Sequence, residues 1–170
     1  MSEALPAVKS VAPLRNVRAL STMVKEVAAR PPELDRLICH YGPSGHGKST
    51  ASAYLANSTR AYHVRVQSTW TAKYLVANIL LEMGFEQKSL PKTIPDMVKE
   101  AIKEHSASQR PLIIDEADYL ANRGLINIIR DILDSSHAIV ILVGEPTLPT
   151  ILQQWPDRKS TRLNSSHGYI

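Results

Sequence analysis

The sequence has one cysteine, no apolar run of membrane-spanning length and only a small excess of positive charge. The single cysteine, Cys39, excludes an intramolecular disulfide framework. It favours a reducing compartment and a packing role in a buried strand. No stretch is long enough for a transmembrane helix, and residues 1–4 do not begin a signal peptide. We therefore expect a cytoplasmic protein with no membrane partner.

Length and composition are those of one soluble globular domain. Of the 170 residues, 44% are hydrophobic and 21% are charged, which suits a domain with a substantial hydrophobic core. Residues 1–15 carry two prolines and little periodicity, so they are predicted to form a flexible N-terminal arm. The predicted core spans residues 16–156.

A glycine-rich segment fits the phosphate-binding pattern G-x-x-x-x-G-K-[ST] at every fixed position. Its glycines let the backbone curl so that successive N–H groups cradle phosphate oxygens. Lys48 can then reach the β- and γ-phosphates of ATP, and the Ser49 hydroxyl can ligate Mg²⁺. The predicted nucleotide contacts are Gly42, Pro43, Ser44, Gly45, His46, Gly47, Lys48, Ser49 and Thr50.

The segments on either side of this loop have the order that the motif requires. Residues 37–41 form a short apolar run that is typical of a buried strand. The Ala-rich segment after Lys48 predicts a helix whose positive N-terminus faces the phosphates. We therefore favour a nucleotide site over a flexible Gly/Ser turn that contains a lysine.

Strand and helix patterns alternate along the rest of the chain. Helices are predicted over residues 16–30, 70–83 and 93–105 and near 125–133, and strands over 62–66, 112–114 and 138–143. This alternation indicates an α/β fold, with a central parallel sheet and helices on both faces. Ligands of such sheets bind at the carboxyl ends of the strands, where the candidate functional segments lie.

The helix after residue 93 has a clear start signal and one apolar face. Thr93 is predicted to cap it, with Asp96 three residues later. We assign His105 a solvated or half-buried position near the helix end, in preference to a catalytic role. The face is predicted to consist of Ile94, Met97, Val98, Ala101, Ile102 and His105.

An acidic pair, Asp115 and Glu116, ends the apolar strand at residues 112–114. A carboxylate at a strand tip can hold Mg²⁺ opposite Ser49, and its neighbour can orient and deprotonate the attacking water. We assign Asp115 to the metal and Glu116 to general-base catalysis, rather than giving both a capping role. Asp118 completes the letters D-E-A-D, but we expect it to cap the next helix.

The last segment, residues 157–170, differs from the rest of the chain because it has no apolar periodicity. Asp157 to His167 resembles, residue for residue, the translation of a widely used sequencing-library adapter. We interpret it as a non-native tail on a chain truncated after about Pro156, in preference to an ordinary basic, Ser-rich terminus. Without its three basic residues and one acidic residue, the formal charge falls from +4 to +2, which is too weak to establish nucleic-acid binding.

Together, the phosphate loop, the run from Leu112 to Leu120 and the run from Ile139 to Glu145 resemble the AAA+ ATPases. Within them, the chain is most similar to the transposition helper ATPases typified by the phage Mu B protein and to transposon target-selection ATPases. The resemblance implies a P-loop NTPase of AAA+ type, in a bacterium or phage, that binds ATP and assembles as rings or filaments on double-stranded DNA. It also implies delivery of target DNA to a transposase, and disassembly on ATP hydrolysis.

The chain departs from that family at three points. No helix-turn-helix domain precedes the predicted core, and the lid domain and arginine finger would follow residue 156, so this chain is expected to bind ATP but hydrolyse it poorly. The family usually places Asn, Ser or Thr where the γ-phosphate is sensed. Here the candidates for that sensor are Glu145 and Thr147, of which Glu145 is atypical.

Other functions compete with transposition. A helicase loader in DNA replication shares both motifs, and a nucleotide-dependent regulatory switch would need only slow turnover. A P-loop kinase is disfavoured, because a built-in base for water favours hydrolysis over phosphate transfer. Arg123 and Lys73 are candidate DNA contacts, but we favour a solvated helix surface for each of them. Trp70 and Trp155 could stack on bases, but we favour core packing for both.

Overall fold

The computed structural model describes residues 15–122 and 124–153. The predictions for the arm before Arg15, for Arg123, for Trp155 and for the tail lie outside these residues. The described elements are, in chain order, α1 (Arg15–Ala28), β1 (Leu37–Tyr41), α2 (Lys48–Thr59), β2 (Tyr62–Arg65), α3 (Ala72–Glu82), α4 (Ile94–Ser108), β3 (Leu112–Asp115), α5 (Asp118–Asn122), α6 (Ile126–Ser136), β4 (Val140–Gly144) and α7 (Leu148–Gln153).

The four described strands form one parallel sheet in the order β1-β4-β3-β2. Leu37 of β1 pairs with Val140 of β4, and Leu112 of β3 pairs with the same residue from the other side. Because all strands run the same way, their carboxyl ends meet at a single edge. The predicted α/β fold with a parallel sheet is therefore confirmed.

Alternate residues of the central strands face two separate hydrophobic cores. Ile113 and Ile141 point to the face covered by α1 and α2, and Ile114 and Leu142 point to the face covered by α3, α4 and α6. Both faces of β3 and β4 are buried, which explains why these strands are continuous apolar runs. The prediction of helices on both faces is confirmed.

Helix boundaries follow local capping signals. The predicted N-cap of α4 is confirmed, since the Thr93 hydroxyl accepts a hydrogen bond from Asp96 N–H. Thr71 caps α3 in the same way, so this helix begins after Trp70 rather than at it. Trp70 is half-buried against the core, as predicted.

Two predictions about single residues are wrong. His105 is fully buried on the inner face of α4, where its Nδ1 lies 2.9 Å from Ser136 Oγ of α6. Asp118 is the first residue of α5 rather than a cap before it, and its carboxylate accepts a hydrogen bond from Glu145 N–H instead. His105 and its partner Ser136 are 31 positions apart in the chain, and Asp118 and its partner Glu145 are 27 positions apart.

Cys39 packs against the core, as predicted, although it is only half-buried. Burial, with a smaller contribution from the charge of Asp118, raises the pKa of its thiol to about 12. The thiol is therefore protonated and unreactive near neutral pH. None of the helices in residues 15–122 and 124–153 combines the length and apolar character needed to cross a bilayer.

Candidate nucleotide-binding site

The loop between β1 and α2 has the backbone conformation of a phosphate cradle. Gly45 and Gly47 have φ angles of 79° and 78°, in the left-handed region that glycine adopts without strain. Helix α2 begins at Lys48 and has no side-chain hydrogen bond at its N-cap. The N–H groups of its first turn are consequently available to an anion at the positive end of the helix dipole.

The first helix fixes the outer side of this loop. Asn16 of α1 is buried, and its amide Nδ2 donates to the His46 carbonyl at 2.5 Å. His46 itself is exposed, with Nδ1 3.1 Å from the Ser44 carbonyl oxygen. Sequence reasoning missed Asn16, because nothing in the local pattern links a residue of α1 to a loop 30 positions away.

The Lys48 side chain contacts the loop that precedes it. Its Nζ donates to the carbonyl oxygens of Gly42 at 2.6 Å and Pro43 at 2.8 Å, and lies 3.6 Å from Glu145 Oε1. The buried His40 of β1 lies nearby. Burial first, and then the charge of Lys48, lowers the pKa of His40 although Asp115 opposes this, so its ring is neutral at physiological pH.

Asp115 lies at the tip of β3 and is nearly fully buried. Burial alone would raise the pKa of its carboxyl, but the adjacent His63, the Glu116 N–H and Arg65 outweigh that effect and lower it. Nε2 of His63 is 3.9 Å from Oδ2, and Glu116 N–H donates to Oδ1 at 3.0 Å. Asp115 is therefore ionised at neutral pH, as a metal ligand must be.

Glu116 has an unusual backbone conformation. Its φ of 59° is in the left-handed region, which is uncommon for a residue other than glycine. Arg65, at the tip of the neighbouring strand β2, donates from Nη2 to Glu116 Oε1 at 3.2 Å. Sequence reasoning missed Arg65, although its place at the end of a predicted strand was the signal that could have found it.

The phosphate loop and the acidic strand tip line the same cleft, which has a volume of about 320 Å³. The loop and α2 contribute Ser44, Gly45, Gly47, Lys48, Ser49 and Thr50. The strand tips contribute Arg65, Asp115, Glu116, Gly144 and Glu145. The other residues of the predicted set, Gly42, Pro43 and His46, and the second sensor candidate, Thr147, are not part of this lining.

Hydrogen bonds connect the segments that follow β1, β3 and β4 next to the cleft. Asp118 Oδ2 accepts from Glu145 N–H at 2.8 Å, which ties the segment after β3 to the end of β4. A Cβ on Gly144 would collide with the Asp118 carboxylate, so a larger residue there would displace that carboxylate from its present position. Gly42 N–H donates to the Gly144 carbonyl at 3.3 Å, which joins the phosphate loop to the same point.

Comparison with known families identifies this arrangement. The sequence profile of the AAA domain family matches residues 33–152, which include the phosphate loop and the tips of β2, β3 and β4. The chain belongs to the AAA domain family. The predicted P-loop fold of AAA type is thereby confirmed, while assignment to the transposition helpers within it is a finer statement than this match makes.

Among solved structures, the AAA domain is similar to the Orc1 protein of Aeropyrum pernix in complex with DNA. The TM-score is 0.50 and the sequence identity is 21%, over 85% of this chain and 40% of the Orc1 chain. At this identity the similarity shows a common fold, and the chain spans less than half of the Orc1 protein. None of the curated proteins has a sequence that matches it.

The donor set of the cleft in this AAA domain fits a magnesium ion. The Ser49 hydroxyl and the Asp115 carboxylate line it together, and Mg²⁺ prefers such hard oxygen ligands. Within residues 15–122 and 124–153, no cluster of three or more His, Cys, Asp or Glu side chains could hold a metal. Mg²⁺ is typically bound through one or two protein ligands plus substrate phosphates, so an incomplete set of protein ligands is what a nucleotide site requires.

Proposed function

We propose that this AAA domain binds ATP with Mg²⁺ and hydrolyses it to ADP and phosphate. The observation that carries the proposal is the shared cleft, which Lys48 and Ser49 line together with Asp115 and Glu116. Only a site that handles both phosphates and water needs these two halves together. The proposal also agrees with membership of the AAA domain family.

Each residue of the cleft has a role in this proposal. The loop N–H groups and Lys48 bind the phosphates, and Ser49 and Asp115 hold the metal ion. Bound Mg²⁺ supplies neutralising charge for the phosphate oxygens. Glu116 orients the attacking water and accepts its proton, for which it must first leave its ion pair with Arg65.

The test of ATP binding uses the Lys48→Ala variant. We expect calorimetric titration with Mg–ATP to show binding by the unchanged protein and a loss of at least about a hundredfold in K48A, because the loop loses its only charged phosphate contact. Lys99→Ala, which removes an exposed lysine of α4, is the matched control and should bind normally. Equal binding by K48A and K99A would contradict the proposed site.

We further propose that the ATPase acts with double-stranded DNA, as a homo-oligomer that serves transposition together with a transposase. The resemblance of the Ile113-Ile114-Asp115-Glu116-Ala117-Asp118 segment to transposition helpers supports this role. A role in replication, of the helicase-loader type, is the second candidate, supported by the fold similarity to an Orc1 protein in complex with DNA.

Turnover measurements with and without double-stranded DNA separate these functions from the other classes. Stimulation by DNA supports a transposition or replication ATPase, and binding assays with purified transposase or replicative helicase then distinguish the two. Slow turnover that is the same with and without DNA supports a nucleotide-dependent switch. The Arg65–Glu116 ion pair favours this function, because Glu116 must leave it before acting as the base. A phosphorylated small-molecule product would indicate a kinase and contradict the proposal.

A further inference from the structure

The cleft contains a carboxylate that neither the metal nor the attacking water requires. Glu145 follows β4, and its Oε1 lies 3.6 Å from the ammonium group of Lys48. The same ammonium donates hydrogen bonds to the carbonyls of Gly42 and Pro43. In this arrangement, the lysine that must bind phosphate is already engaged by acceptors of its own chain.

The backbone of Glu145 is held at the edge of the cleft, which its side chain lines. Its N–H donates to Asp118 at 2.8 Å, and its carbonyl accepts from Leu148 N–H at 3.0 Å, at the start of α7. Gly144, just before it, packs against the Asp118 carboxylate with no space for a side chain. The Lys48 side chain is 11% exposed and that of Glu145 is 44% exposed, so the pair is only partly screened by water.

The formal charges that line the cleft add up to an excess of one negative charge. Lys48 and Arg65 are cationic, while Asp115, Glu116 and Glu145 are anionic. A site for a polyphosphate would be expected to be positive, because like charges a few ångströms apart repel. A divalent cation held by Ser49 and Asp115 would add two positive charges and so reverse this balance.

We propose that Glu145 is an internal competitor of phosphate for Lys48 and makes tight nucleotide binding depend on Mg²⁺. The inference rests on the proposed ATP-binding function. Glu145 must release Lys48 before the lysine can contact a phosphate, and its freed carboxylate then repels any phosphate whose charge is not offset by the metal. Glu145 is thus a specificity-determining residue that selects the metal-bound form of the nucleotide.

The test compares dissociation constants for ATP in Mg²⁺ and in EDTA, measured by isothermal titration calorimetry. Glu145→Gln keeps the size of the side chain and removes its charge. In E145Q we expect binding of metal-free ATP to become about tenfold tighter and binding of Mg–ATP only about threefold tighter, because the repulsion is greater without the cation. Glu145→Ala, at a partly exposed position, should show the same change in ratio.

Glu86→Gln is the matched control, since it removes one carboxylate from an exposed pair with Lys88 that does not line the cleft. Both of its dissociation constants should equal those of the unchanged protein. An unchanged ratio of the two constants in E145Q and E145A would overturn the role of Glu145 and leave the proposed ATP site intact. If the unchanged protein bound neither form of ATP, the proposed function would fail, and this inference with it.

Discussion

At the scale of single residues, two adjacent carboxylates receive different environments. Asp115 is nearly buried, within reach of the His63 ring, and has a lowered pKa. Glu116 is one of the non-glycine residues with a left-handed backbone, its side chain is partly exposed, and it pairs with the exposed Arg65. The buried group suits a fixed ligand, and the outer one suits a base that must reach a water molecule.

Glu116→Gln should separate binding from turnover. We expect E116Q to keep its affinity for Mg–ATP within about threefold, because the metal ligand and the phosphate loop are unchanged, and to lose at least about a hundredfold in kcat. Calorimetry and phosphate release measure the two quantities. Glu86→Gln, at an exposed position outside the cleft lining, should change neither, and normal turnover by E116Q would remove Glu116 as the base.

His105 should make the fold sensitive to acid. Burial lowers its pKa from 6.5 to about 4, so the unfolded chain binds a proton at a pH where the folded chain does not. The free energy of unfolding should therefore decrease as the pH falls from 6.5 to about 4, by up to about 3 kcal/mol. Urea unfolding across that range measures the change.

The control for this effect is an exposed histidine. His105→Asn should weaken the pH dependence of the free energy of unfolding between pH 6.5 and 4, and the remainder includes the contribution of His40, whose pKa is also lowered. His137→Asn should keep the full dependence, because His137 is exposed and Asn tolerates its left-handed backbone. An equally steep dependence in H105N would show that other buried groups cause it.

At the scale of secondary structure elements, helix α4 illustrates how capping and packing combine. Thr93 accepts from Asp96 N–H at its start, and Met97 and Ala101 bury its inner face against the core. Thr93→Ala should lower the free energy of unfolding by about 1 kcal/mol, because a helix N–H loses its partner. Chemical unfolding measures this loss. Thr150→Ala, at an exposed position inside α7, should cost less, and equal losses would contradict the capping role.

The same elements show what the sequence can and cannot predict. The strand and helix on either side of the glycine-rich loop, the N-cap at Thr93 and the buried central strands are local patterns, and the structure confirms them. The contacts of Asn16, Arg65 and Asp118 join positions 30, 51 and 27 residues apart, so no local pattern encodes them. The burial of His105 was mispredicted for the same reason, because it depends on the later helix α6.

At the scale of the whole molecule, the cleft joins elements from both ends of the described chain. The loop after β1 and the tips of β3 and β4 surround it, so a bound nucleotide should resist the separation of all three. A hundredfold excess of Mg–ATP over its dissociation constant should raise the free energy of unfolding by about 2.7 kcal/mol. Thermal unfolding measures the rise in Tm, which should fall to a small fraction in K48A at the same ATP concentration. An equal rise in K48A would show that ATP binds at another site.

The pairing of β1 with β4 has a consequence for the order in which the protein is made. Leu37 finds its strand partner only at Val140, so on the ribosome the loop that follows β1 emerges long before the strand that anchors it. Nascent chains that end before β4 contain the phosphate-loop sequence but lack the strand with which β1 pairs. We therefore expect the cleft to form only after β4 has been synthesised, so chains that end before Val140 should not show the ATP binding proposed above.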